Sequence, residues 1–247
     1  MATEHEVEVL KDKVARGTRI LFQTGLADYH GHLSARIPGT RDLLIKPVLI
    51  SLREITAGDI LRVNIDEYKA QIADNARKIA GINKAIHEAA LPPRETIIHA
   101  AVLEARPDVH SVIHTHQLFA TAFSVAGKEI LPVHITAAAF GNGTPILHKA
   151  DLIVSAEDGR EVADTLGDRN ALLLKNHGVV VVGGSVEEAV FNAVYLERAA
   201  QMQLIASMIG EPESLPVNFC QIFAQNMRNR APHAFEYLES LAKDSGD

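Results

Sequence analysis

The sequence has few of the features that mark secreted, membrane or nucleic-acid-binding proteins. Its 247 residues include a single cysteine, Cys220, so no disulfide can form within the chain, and a reducing compartment is expected. No apolar run approaches the roughly 20 residues that cross a bilayer, and the polar, acidic N-terminus is unlike a signal peptide. The formal net charge of −7 argues against nucleic acid or an anionic membrane as the main partner. These absences predict a soluble, cytoplasmic protein.

The composition is that of an ordinary globular protein, with 47% apolar and 22% charged residues. A chain of this length can build its core without disulfides or a structural zinc ion, so a metal would be expected to serve catalysis. Histidine, with twelve residues, is in mild excess.

The order of apolar patterns predicts one α/β domain over residues 1–247, with a mixed sheet and a less regular C-terminal tail from about residue 211. Helices are predicted at about 5–26, within 69–89, from 92 to 105, at 157–166 and from 185 to 209. Strands are predicted at 33–37, 43–45, 60–63, around His114, at 171–175 and at 179–182, with two or three more before Ile146.

The most informative pair is His114 and His116, which lie two residues apart in an apolar segment that is typical of a buried strand. Alternate strand residues share a face, so both imidazoles would point into the same space. Two neutral imidazoles directed at one point are a common start for a divalent-metal site.

Further candidates lie in three other segments. Glu95 follows two prolines at a predicted helix start, where a carboxylate either faces a cleft or serves the helix by compensating its dipole or capping its N-terminus. His177 lies between an apolar strand and a glycine, as a ligand or as a structural histidine. His30 and His32 flank Gly31. Together, Glu95, His114, His116 and His177 would form a sphere of three imidazoles and one carboxylate, which suits Zn²⁺, with Mn²⁺, Co²⁺ or Fe²⁺ as alternatives.

The spaced motifs resemble the class II aldolase/adducin family over roughly residues 5–210. They read Arg-Glu95-x-x-x-His99, Arg-Pro-Asp-Val-x-x-Val-x-His114-x-His116 and Leu-Leu-x-x-His177-Gly. The resemblance implies an α/β/α sandwich with a largely antiparallel central sheet. It also implies a divalent metal on His114, His116 and His177, with Glu95 near it as ligand or acid/base. A homotetramer with active sites between subunits is the assembly it implies.

The sequence departs from the family where sugar-phosphate members hold the phosphate. Their Gly-Asn-x-Ser motif, Thr-Gly turn and Ser-Ser pair correspond here to 31–34, 47–49 and 93–94, which read Gly-His-Leu-Ser, Pro-Val-Leu and Pro-Arg. Hydroxyls and free N–H groups are largely lost, so the phosphate site is dismantled. The tyrosine that donates a proton in the fuculose enzyme is also absent, since the pair reads His134-Ile135, unless Tyr237 of the tail takes its place.

These departures favour a metal-dependent carbon–carbon lyase that decarboxylates a hydroxylated aromatic or muconate-type acid through a metal-stabilised enolate. The segment His30–Arg36 also resembles a subgroup of decarboxylases in aromatic catabolism. Three alternatives stay open: an aldolase or epimerase acting on a sugar, a sugar phosphate or a hydroxy acid, and a non-catalytic adducin-like interaction module.

The expected partner is thus a small carboxylated molecule. Catalytic roles fall to Glu95, His32 and Arg94; substrate contacts to His30, His32, Ser34, Lys46 and Arg94; and metal binding to His114, His116, His177 and Glu95. For Lys46 and Arg94, the competing interpretation is a solvated surface charge.

Overall fold

Seven short strands pair into one sheet that forms the middle layer of the fold. The computed structural model describes residues 2–75 and 91–244. The strands are β1 (His32–Arg36), β2 (Asp42–Ile45), β3 (Leu61–Asn64), β4 (Ser111–Thr115), β5 (Ile146–Leu147), β6 (Ala171–Leu174) and β7 (Gly178–Gly183). Their order is β3-β2-β1-β4-β7-β6-β5, and only β5 and β6 pair in parallel. The prediction of an α/β fold with a largely antiparallel central sheet is confirmed.

Helices cover both faces of this sheet. They are α1 (Glu4–Gln23), α2 (Ile65–Asn75), α3 (Thr96–Ala105), α4 (Leu118–Ala126), α5 (Ala156–Leu166), α6 (Val186–Ile209) and α7 (Val217–Asp244). α1, α4, α6 and α7 pack on one face, while α2, α3 and α5 pack on the other. Within the described ranges, no helix combines the length and hydropathy that crossing a membrane requires.

Both faces of the sheet are therefore buried, which explains why β6 and β7 contain no polar side chains. In β7, Val179 and Val181 join the core beneath α1 and α6, and Val180 and Val182 join the core beneath α3 and α5. Burial on both sides removes the alternation of apolar and polar residues that a half-exposed strand would show.

The predicted helix starts rest on side-chain capping. The Thr3 side chain accepts a hydrogen bond from Glu6 N at the start of α1, and Ser185 does the same with Glu188 N at the start of α6. Each satisfies a main-chain donor that the first turn leaves without an intrahelical partner.

The prediction of two or three strands between residue 116 and Ile146 is wrong. This stretch holds α4, a short 3-10 helix (Ile135–Phe140) and only the two-residue strand β5. The Glu197 carboxylate accepts hydrogen bonds from Phe119 N and Ala120 N, so the group that starts α4 comes from α6, almost eighty residues away in the sequence. The pattern of neighbouring residues in the sequence therefore does not reveal where α4 starts.

The prediction of a less regular tail is also wrong. Residues 217–244 form α7, a helix of 28 residues that packs on α6 and buries Met227, Ala231 and Phe235. Pro232 lies inside this helix and obscures its helical pattern in the sequence. For the helix predicted within 69–89, α2 covers the beginning, and residues 76–90 lie outside the described residues.

Candidate active site

Three segments of the chain meet at one end of the sheet and bring the predicted metal ligands together. β4 ends beside His114, and His116 follows directly after it; His177 immediately precedes β7, the antiparallel partner of β4. Glu95 lies at the start of α3, on the face of the sheet that α3 covers. The site is thus fixed by strand pairing and by one helix start.

A hydrogen bond to the main chain sets the proton position on His114. Its Nδ1 lies 2.9 Å from the carbonyl oxygen of Val179. A carbonyl can only accept, so Nδ1 carries the proton, and the lone pair of the neutral ring is on Nε2. Metal-binding histidines typically donate such a hydrogen bond from the ring nitrogen that does not bind the metal.

The separations between the converging atoms match those expected around one small cation. His114 Nε2 lies 3.2 Å from His116 Nε2, and Glu95 Oε2 lies 3.5 Å from His114 Nε2 and 3.6 Å from His177 Nε2. In a tetrahedral zinc site with bonds of 2.0–2.1 Å, ligand atoms are about 3.3 Å apart. His114, His116 and His177 form one group of possible ligands, and His32, Glu95 and His114 form a second.

The ring nitrogens of His116 and His177 are also in a state that suits metal binding. Desolvation, followed by the nearby His114, lowers the pKa of His116 to about 4, so its ring is neutral at pH 7. Both ring nitrogens of the partly exposed His177 are buried, and neither has a hydrogen-bond partner among the described residues. Buried polar atoms rarely stay without a partner, and a metal would satisfy Nε2. The donor set therefore fits a divalent cation.

Glu95 is held as a carboxylate directed at the histidines. Its side chain makes no capping hydrogen bond to α3, so the alternative of a helix cap does not apply. Oε1 accepts a hydrogen bond from Ile153 N at 2.9 Å, which leaves Oε2 facing His114 and His177. Burial opposes ionisation, but the neighbouring imidazoles of His114 and His177 and the hydrogen bond from Ile153 N outweigh it and lower the pKa of Glu95.

The turn before β7 aims His177 into the site. Asn176 has φ +56°, a left-handed conformation that asparagine tolerates better than most residues, and is the only such non-glycine residue in the described ranges. At Gly178 a Cβ would lie 2.5 Å from Thr115 O and 2.6 Å from His116 Cδ2. Glycine thus permits the close approach of the turn to the end of β4.

A buried chain of hydrogen bonds lies behind the cavity wall and includes a residue to which the sequence assigned no role. His32 Nδ1 lies 2.6 Å from His99 Nε2, and His99 Nδ1 lies 2.6 Å from Ser34 Oγ. Ser34 and His99 are fully buried. Ser34 therefore lies behind the site rather than against a substrate, in contrast to its predicted role. The four-residue spacing of Glu95 and His99 was the available signal, since it places both on one face of α3.

These hydrogen bonds hold the ring of His32 in the cavity wall. Desolvation lowers the pKa of His99 to about 3, while a hydrogen bond to the main chain of Val112 acts in the opposite direction. His32 Nδ1 and His99 Nε2 share one proton, which either ring can donate. When His32 donates it, the Nε2 of the neutral His32 ring can accept a proton; when His99 donates it, that Nε2 carries one. The catalytic role of His32 stays a prediction.

Lys46 places a buried cation in the same cavity. Only 3% of it is exposed, and its Nζ donates one hydrogen bond, to Val48 O at 3.3 Å. Desolvation lowers its pKa to about 8. The alternative of a solvated surface charge is therefore wrong for Lys46.

The cavity has a volume of about 260 Å³. Its lining includes the predicted His30, His32, Lys46, Arg94, Glu95, His114 and His116, together with Tyr29, Gly31, Val48, Pro93 and Leu152. Arg94 is exposed at the rim. The His30 ring centroid lies 5.6 Å from that of His116. Tyr237, considered as a replacement acid, lines a different groove beside Ile135, so within one chain Tyr29 is the tyrosine at the site.

A comparison with protein families matches residues 12–204 to the class II aldolase and adducin N-terminal domain. Over 182 residues the chain is 29% identical to decarboxylase NovR of Streptomyces niveus, covering 73% of this chain and 62% of that protein. It thus spans about three fifths of that relative. Over 213 residues it is 32% identical to a 3,4-dihydroxyphthalate decarboxylase of Terrabacter sp. strain DBF63, covering 82% of this chain and 84% of the relative.

Solved structures show the same fold. The L-fuculose 1-phosphate aldolase from Glaciozyma antarctica PI12 superposes with a TM-score of 0.77 at 22% identity, over 99% of this chain and 94% of the other. The architecture is therefore shared at low sequence identity.

Replacing Lys46 with methionine is expected to stabilise the protein below pH 8. The folded-state pKa of Lys46 is about 8 and its ordinary value is 10.5, so the unfolded chain binds the proton more tightly. The free-energy cost of burying the charged amine is therefore complete below pH 8 and disappears as the pH rises to 10.5. The gain should therefore approach about 3 kcal/mol at pH 7 and vanish near pH 10.5, as measured by denaturant unfolding. The exposed Lys128→Met is the control. A gain that is the same at both pH values would contradict this account.

Replacing Gly178 with alanine should displace the turn from β4. The clash with Thr115 O is expected to cost about 1–3 kcal/mol of unfolding free energy and to weaken zinc binding about 10- to 100-fold, because His177 moves with the turn. Chemical unfolding and competition with a chromophoric chelator measure the two effects. Gly210→Ala, where a Cβ meets nothing within 4 Å, is the matched control. Equal behaviour of both variants would show that the close approach is unimportant.

Proposed function

The chain belongs to the class II aldolase and adducin family, and we propose that within it this protein is a divalent-metal-dependent lyase that decarboxylates a hydroxylated aromatic or muconate-type carboxylic acid. The observation that carries the metal dependence is the convergence of three imidazoles and one carboxylate at separations of 3.2–3.6 Å. Two of its relatives are named as decarboxylases, which supports the reaction class.

In this proposal, His114, His116 and His177 hold the cation, and Glu95 is a fourth ligand or an acid/base. Zn²⁺ suits this donor set, with Mn²⁺, Co²⁺ and Fe²⁺ as alternatives. A bound cation would supply Lewis-acid polarisation of a substrate oxygen next to the bond that breaks.

The other residues of the cavity orient the substrate. Arg94 at the rim can bind a carboxylate through two parallel hydrogen bonds. His32 would bind a substrate carboxylate or exchange a proton with the substrate through Nε2, because His99 occupies its Nδ1. Val48, Pro93 and Leu152 supply an apolar surface that suits a planar, unsaturated acid.

The expected reaction breaks the bond between the carboxylate carbon and its neighbour. The electron pair stays on the substrate carbon, CO₂ leaves, and a proton from water replaces it on that carbon. Retro-aldol cleavage at the same site would instead remove the proton of an alcohol and release an aldehyde. A His32 ring protonated on Nδ1 would accept that proton, which makes this reaction the second candidate.

The assembly and location follow the family resemblance. We propose a homotetramer with active sites between subunits, working in the cytoplasm on a small acid. The histidine and carboxylate set is complete in the chain, which disfavours a non-catalytic adducin-like module.

An assay that separates CO₂ from aldehyde release tests the proposal. Zinc-loaded protein is supplied with carboxylated catechols, hydroxymuconates and sugar acids. We expect CO₂ from members of the first two classes, and a loss of more than about 100-fold in His177→Ala, beyond what loss of a merely orienting partner causes.

His110→Ala is the matched control, since this histidine precedes the opposite end of β4 and lies outside the cavity. It should retain both metal and turnover. Aldehyde release would favour the aldolase alternative. If metal-replete protein turned over none of these compounds, both proposed enzymatic activities would be contradicted.

A further inference from the structure

The cavity contains a buried positive charge that the described part of the chain leaves without a counter-ion. Lys46 is 3% exposed, and no carboxylate of the described residues lies within ion-pair distance of its Nζ. Of the three N–H groups of an ammonium, one donates to Val48 O at 3.3 Å. Buried charges in proteins are nearly always paired, so an anion from outside the described residues is the missing partner.

The position of Lys46 limits where that anion can bind. Its side chain lines the same cavity as Glu95, His114 and His116, so a molecule in contact with the metal ligands is within reach of the ammonium. His32 lies within electrostatic range of both Glu95 and Lys46. The ordinary function of a surface lysine, solubility, does not apply to a side chain this deeply buried.

We propose that Lys46 binds an acid group that the substrate retains, so that the substrate is a diacid which loses one carboxylate as CO₂ and keeps the other. The loss of one acid group as CO₂ rests on the proposed decarboxylation, whereas the subsite for the retained acid group rests on the burial of Lys46. The cavity of about 260 Å³ suits a single ring or a short unsaturated chain with two acid groups.

Electrostatics decide which of the two groups Lys46 holds. In decarboxylation, negative charge leaves the departing carboxylate and spreads into the substrate. An ammonium paired with that carboxylate would stabilise the reactant more than the transition state and would slow the reaction. Paired with the retained carboxylate, whose charge is the same before and after the step, it provides binding and orientation without this penalty.

Calorimetric titration of the zinc-loaded protein with phthalate and with benzoate tests this subsite, because the two probes differ only in the second carboxylate. We expect the wild type to bind phthalate at least about tenfold more tightly than benzoate, the ratio that corresponds to one well-placed charged hydrogen bond. Lys46→Met should remove this preference by weakening phthalate and leave benzoate within about twofold. Lys46→Arg should restore part of the preference.

The controls separate a folding defect from the loss of a charge. Lys128→Met should bind both probes as the wild type does. Lys46→Met should unfold at the wild-type temperature or above it, so weaker phthalate binding with intact benzoate binding reports the subsite. A preference for phthalate that survives in Lys46→Met would overturn the proposal.

Inorganic phosphate forms a further arm of the experiment. If phosphate binds as tightly as phthalate and depends equally on Lys46, the subsite serves a phosphorylated substrate, and the diacid assignment is wrong. The outcomes are also distinct from those of the decarboxylation assay. A preference for phthalate that depends on Lys46, without CO₂ release from any compound, would contradict the proposed decarboxylation but support the Lys46 subsite. Equal CO₂ release from monoacids and diacids would contradict the subsite but support decarboxylation.

Discussion

The antiparallel pairing of β1, β4 and β7 is the constraint on which the site depends. Its register places His32 and Val180 on either side of His114, and the adjacent Val179 carbonyl takes the proton on His114 Nδ1. One strand alignment therefore sets the position, ring orientation and tautomer of the central histidine. A slip of one residue would turn every side chain of β4 to the opposite face of the sheet and dismantle the cluster.

Several features around His114 lower the local stability of the fold and supply reactive groups. Asn176 adopts a left-handed conformation, His177 lacks hydrogen-bond partners among the described residues, and Lys46 is a buried cation. Each feature is costly in an ordinary core. Their concentration at one end of the sheet fits the proposed site for a cation and an acid, and the buried cores on the two faces of the sheet support that end.

The cluster of candidate ligands and the fold class could be predicted because their signals are local. His114 and His116 are two apart in an apolar segment, and a capping motif at Ser185 marks the start of α6. The start of α4 could not be predicted, because the carboxylate that caps it belongs to Glu197. The chain from Ser34 through His99 to His32 likewise joins β1 to α3, and only the folded structure shows that Ser34 lies behind the site. Lys46 shows the same limit, since its burial depends on neighbours distant in sequence.

The central claim is that three imidazoles and Glu95 form one divalent-metal site. Anomalous diffraction at the zinc edge from crystals of zinc-loaded protein tests it most directly. The account predicts one strong peak per chain, within about 2.0–2.3 Å of Nε2 of His114, His116 and His177. A peak elsewhere, or none at this cluster in protein that carries stoichiometric zinc, would contradict it.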